Sequence, residues 1–199
     1  MVAGSPLMPA IGYRTWRIER IHGEMGVWLV SPYCPAYWPR SERLEAVCRR
    51  EPGEVMKRRV LQPHQQEPDC APPVAGCGCG IYAYHDVETM LGSIHEHSVG
   101  GAVLCWGRVT IHPEGIRVQF ARPIALCLPV PSYPNCGVEP EAKRVADTYG
   151  VPLVEAGYLA AYASEFGDSY RPASAEACDA SGDFRASGLR NFLRKLIDV

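Results

Sequence analysis

Gly101-Ala102-Val103-Leu104-Cys105-Trp106-Gly107-Arg108-Val109-Thr110-Ile111, then His112-Pro113-Glu114-Gly115, then Ile116-Arg117-Val118-Gln119-Phe120-Ala121, decides the fold class. Successive side chains of a strand point to opposite faces. Val103, Cys105, Val109 and Ile111 therefore share one face, and Leu104, Trp106 and Arg108 share the other. The four residues between the runs include Pro and Gly, which favour a turn. An antiparallel hairpin follows. Ile124 to Leu128 is apolar and continues the sheet to about residue 128.

Working towards the N-terminus, Asp86 is suited to cap a helix in which Val87, Met90, Leu91 and Ile94 fall on one side. Tyr13 to Arg20 and Val27 to Val30 read as two strands of a second hairpin around His22 to Gly26. Arg40 to Arg50 has the composition of one short helix ending near Cys48. Towards the C-terminus, Pro140 suits the start of a helix with Ala142, Val145, Ala146 and Tyr149 as its stripe, stopped by Gly150 and Pro152. A further helix is expected over Tyr158 to Phe166.

Together these elements predict an α/β or α+β fold: a hairpin-rich antiparallel sheet packed by amphipathic helices, with a cysteine-stapled loop region. Residues 1–170 are expected to form one domain. Residues 171–186 are small and polar and read as a mobile linker. Ser187 caps a final amphipathic helix, 187–199, with Leu189, Phe192, Leu193, Leu196 and Ile197 on one side.

The chain has 199 residues and a formal net charge of -2. That balance disfavours a broadly basic nucleic-acid binder. No apolar run is long enough to span a bilayer, and the N-terminal stretch lacks a basic leader. A cytoplasmic, reducing location is the expectation. There, nine cysteines point to metal ligation or reactive thiols rather than to a disulfide framework.

Four of these cysteines are grouped around a long, polar, proline-rich segment: Cys48, Cys70, Cys77 and Cys79. A loop of that length inside a compact domain calls for a clip. Four thiolates satisfy one tetrahedral zinc ion, with His64 as an alternative ligand. An iron–sulfur cluster uses the same ligand type and is the lesser candidate. Glycines at 76, 78 and 80 permit the sharp turn that a C-x-C pair requires. In the thiol-enzyme alternative, Cys77 or Cys79 is a nucleophile with His64 or His85 nearby.

The string Cys77-Gly78-Cys79-Gly80-Ile81-Tyr82-Ala83, with Leu104 to Val109 and Phe120-Ala121-Arg122-Pro123, resembles a family of uncharacterised bacterial proteins. In these a C-x-C-G-I-Y-A segment precedes an L-W-G-x-V strand and an A-Y-P turn. Members often carry histidine about where Cys70 stands. This sequence departs from the pattern at Cys105 and Arg122. The resemblance covers about residues 70–123, implies a shared structural core and ligand position, and brings no function with it.

Tyr33, Tyr37 and Trp38 lie in a proline-rich run that is hard to bury whole, and form a candidate protein-binding surface. Arg40 to Arg59 is the segment through which nucleic acid would be bound. Motifs for phosphate loops, dinucleotides and common hydrolases are missing from the sequence. The leading functional expectation is a non-catalytic binding or regulatory module with structural zinc. A metal- or thiol-dependent hydrolase is the first alternative and a nucleic-acid binder the second.

Overall fold

A computed structural model describes residues 9–21, 26–32, 36–40, 42–47, 72–73, 79–94, 98–128 and 138–170. The expected linker 171–186 and helix 187–199 lie outside these residues. Among the described residues, eight strands form one sheet, mostly antiparallel, and three helices pack on it. The α+β expectation is thereby met.

The long strands are β1 (Ala10–Arg20), β5 (Ser98–Ile111) and β6 (Gly115–Cys127). β5 pairs antiparallel with β1, from Ala10↔Cys105 to Arg17↔Ser98, and with β6 on its other edge. β1 and β6 then each carry short strands on the edge facing away from β5. On β1 these are β2 (Val27–Val30), β4 (Ile81–Tyr84) and β8 (Asp168–Ser169). On β6 they are β4 again, β3 (Leu44–Glu45) and β7 (Leu153–Val154). Because β4 pairs with both β6 and β1, the pairing β1–β5–β6–β4–β1 closes on itself.

Such closure requires the β5–β6 hairpin to bend. The bend has a local cause: the register shifts between Trp106 and Val109, where Gly107 takes φ +82°. A bulge of this kind bends and twists the strand. Ile111, at the hairpin tip opposite Ile116, is 45% exposed, whereas Ile116 and Val118 belong to the same core cluster as Val103 and Cys105. A second shift accommodates Pro123, which lacks the N–H a regular ladder needs.

The sheet is covered on both faces. Leu126 and Val103 point to the side of α2 (Val138–Tyr149), where Ala142, Val145, Ala146 and Tyr149 pack with Trp16, Leu29 and Trp38. Ala125 and Ala102 point to the other side, against Met90 of α1 (Val87–Leu91) and Leu159 and Ala163 of α3 (Ala156–Ala163). Small residues let the layers approach. A Cβ on Gly101 would stand 2.3 Å from the Ala125 carbonyl oxygen.

Two expectations are corrected here. The helix proposed for Arg40–Arg50 is replaced, over the described residues, by β3, because Leu44 and Glu45 pair with Ala121 and Phe120 at the edge of β6. The helix capped by Asp86 ends at Leu91, just before Gly92. Its cap is as expected: the Asp86 carboxylate accepts from the Thr89 N–H at 2.7 Å. Among the described residues no helix is long and apolar enough to cross a membrane.

Candidate functional site

β3 and β4 lie end to end along the same edge of β6. Glu45 pairs with Phe120, Ile81 pairs with Val118, and the Ala46 N–H donates to the carbonyl of Gln119 between them at 2.8 Å. Both strands run antiparallel to β6. The chain therefore leaves β3 and re-enters β4 at one point, Gln119. Ala46 and Ile81, 35 positions apart in sequence, thus stand next to one another on this edge.

Pro73 comes to the same point. Pro72 and Pro73 are buried and joined by a cis peptide bond. A Cβ on Gly80 would lie 3.2 Å from the Pro73 Cβ and 3.1 Å from the Arg117 Cβ. Gly80 takes φ +120°, the conformation for which a glycine after C-x-C is needed. Cys79 is buried, and its carbonyl accepts from Arg117 Nη1 at 3.4 Å. Of the other expected ligands, Cys48, Cys70, Cys77 and His64 lie outside the described residues. No group of three or more His, Cys, Asp or Glu suited to a metal occurs among the described residues.

Arg117 links this junction to the hairpin tip. Its Nε donates to His112 Nε2 at 2.8 Å. Burial first, then the charges of Arg117 and His85, hold the His112 pKa below the ordinary histidine value. A neutral ring is also what accepting that hydrogen bond requires. His85 is buried, and its Nε2 lies 2.7 Å from the His112 carbonyl oxygen. Facing an acceptor, that nitrogen must carry the proton and is not a base towards Cys79. Sequence reading took His112 as a turn residue. Its partnership with Arg117 follows only from the register of the hairpin tip.

The aromatic run divides. Tyr37 is 46% exposed, whereas Trp38 is 0% exposed and is removed from the candidate surface. Trp38 packs edge-on to Trp16 at 5.3 Å, donates from Nε1 to Ser31 Oγ at 3.0 Å, and accepts from the Tyr149 hydroxyl at 2.7 Å. Tyr33 lies outside the described residues. In place of Trp38, the surface beside Tyr37 contains Trp28, edge-on at 6.0 Å, and Arg40, stacked 4.1 Å from the Trp28 ring. The Arg40 Nε and Nη2 atoms are buried and take no hydrogen-bond partner among the described residues. Alternation along β2, with Val27, Leu29 and Val30 buried, was the available signal that Trp28 faces outward.

Two arginines of the 40–59 segment are thus committed to rings: Arg40 to Trp28, and Arg43 to Phe120 at 4.2 Å. Arg49, Arg50, Lys57, Arg58 and Arg59 lie outside the described residues. Cys105 and Cys127 are buried in the sheet, and burial pushes both thiols up to about 12. They act as small apolar side chains. No protein-family model, no curated protein and no solved structure matches this chain.

Proposed function

We propose that this chain is a non-catalytic binding module whose 47–80 loop is stapled by one structural zinc ion held by Cys48, Cys70, Cys77 and Cys79. The meeting of β3 and β4 at Gln119 carries the reading. Cys48 is two residues beyond Ala46, Cys77 two before Cys79, and Cys70 three before Pro73. At roughly 3.5 Å per residue, the Cα of each of these three cysteines is tethered within about 7–11 Å of that of its anchor, Ala46, Cys79 or Pro73. Four thiolates would fill the tetrahedral shell and leave no open position, so the ion would cross-link the loop rather than activate water.

Trp28, Tyr37 and Arg40 form the surface that a partner would contact. Trp, Tyr and Arg are the residue types that dominate protein interfaces. The thiol-hydrolase alternative is weakened because His85 Nε2 already serves the His112 carbonyl.

Elemental analysis of the purified chain tests the staple. About one zinc per chain is expected, with loss of the metal in Cys79→Ser and Cys77→Ser. Metal-free protein in which Cys77 and Cys79 react freely with thiol reagents would move the assignment to thiol chemistry. For the surface, a photo-crosslinker at position 37 in the full chain should capture a partner. Arg40→Ala should abolish that capture while the chain still unfolds in one cooperative transition.

A further inference from the structure

Helix α3 breaks the rule that an apolar helix is covered on all sides. Leu159 and Ala163 are buried against the sheet, but the rest of the helix surface is also apolar. Gly157, Tyr158, Ala160 and Ala161 are exposed, Tyr158 to 68%. Just past the helix Phe166 is 41% exposed and packs on Tyr162 at 5.3 Å. Among the described residues, no atom outside the adjoining turns of the helix lies within 4 Å of the position a Gly157 Cβ would take. Exposed Glu155 and Glu165 bracket this face at its two ends, with exposed Asp168 beyond.

We propose that the outer face of α3 is the docking site of this chain's own C-terminal segment, 187–199. The sequence of the segment spaces Leu189, Phe192, Leu193, Leu196 and Ile197 so that a helix would carry them as one stripe. At about 100° per residue, Arg190 and Lys195 fall on the two borders of that stripe. They are placed to meet the acidic residues that bracket α3.

The tether favours this occupant over a second copy, and the length of the face suits it. The face runs from Gly157 to Phe166, about 15 Å at 1.5 Å per residue. That suits one helix of three turns. Residues 171–186 connect the segment to Tyr170, which follows α3 closely. A chain of that length with random-coil dimensions would have a mean reach of about 20–24 Å, enough to return to α3. Tethering at this range gives an effective concentration on the order of millimolar.

Hydrogen exchange on the full chain tests the proposal. Leu193→Asp should raise amide exchange over 156–166 at least tenfold while 98–105 stays protected. Tyr158→Glu, made on the other partner, should raise exchange over 187–199 by a similar factor. Unchanged exchange over 156–166 in Leu193→Asp overturns the proposal. So does a concentration-dependent dimer in sedimentation that Tyr158→Glu dissolves, which would assign the face to a second copy.

Discussion

At the scale of single residues, the Tyr149 hydroxyl has the widest reach. It accepts from the Leu29 N–H at 3.0 Å and donates to the Trp38 carbonyl at 2.7 Å. One atom thus ties α2 to β2 and to the strand-like segment at Trp38. Tyr149→Phe keeps the ring and leaves both backbone groups without that partner, for which a cost of about 1–3 kcal/mol is expected. Urea denaturation would measure it, and a loss below about 0.5 kcal/mol would mean that water replaces the hydroxyl. His112 supplies the second residue-scale prediction. Its pKa is lowered in the fold, against about 6.5 in an unfolded chain. The unfolded state therefore binds the proton more readily. The contribution is fully present above pH 6.5 and is lost as pH falls through that value. Thermal midpoints should drop between pH 7.5 and 5.5, and His112→Gln should flatten the drop. Equal slopes in the two proteins would exclude His112 as the source.

At the scale of elements, legibility tracked how much of each element's stabilisation is local. The β5–β6 hairpin, the β1–β2 hairpin, α2 and the Asp86 cap were readable because alternation, turn residues and capping act within a few positions. Asp86→Ala should cost about 1 kcal/mol. That loss should be visible as faster amide exchange in Val87–Leu91, with the β5–β6 ladder unaffected. β3, by contrast, is two residues long and exists only because β6 offers an unpaired edge at Phe120 and Ala121. Its own composition favours a helix, so sequence periodicity pointed the wrong way. Trp38 failed for a related reason. Prolines on both sides suggested an exposed loop, but a bridge from Val30 to Tyr37 and the hydroxyl of a residue 111 positions away draw the indole inside. The bend at Gly107 was legible as a glycine and not as a bulge, and Ile111, the last residue of β5, is exposed at the hairpin tip although its partner Ile116 is buried. The cysteine spacing was visible from the start. The anchoring of both loop ends at Gln119 was not, since it depends on two distant strands sharing one edge.

At the scale of the whole molecule, the closed circuit β1–β5–β6–β4 and the proposed zinc staple make separable contributions. The long pairings of β5 with β1 and β6 are buried by helices on both faces. β4 is only four residues long and meets β1 at the single pair Tyr13↔Tyr84. A metal that fixes the chain just before Ile81 and just after Ala46 would therefore hold the weakest part of the circuit. By analogy with a covalent cross-link, such a staple is worth about 2–4 kcal/mol, and each kcal/mol is about 2–4 °C in Tm for a domain of this size. Chelation should then lower Tm by about 10 °C without abolishing the cooperative transition. Amide exchange should rise in Leu44–Ala46 and Ile81–Tyr84, while 98–105 and 121–127 remain protected. Thiol titration sharpens the test, because Cys105 and Cys127, with pKa values of about 12, should stay unreactive before and after chelation. Global exchange on chelation would make the metal a core element rather than a staple. No change in exchange, Tm or thiol count would leave the abutment of β3 and β4 to stand by backbone hydrogen bonds alone.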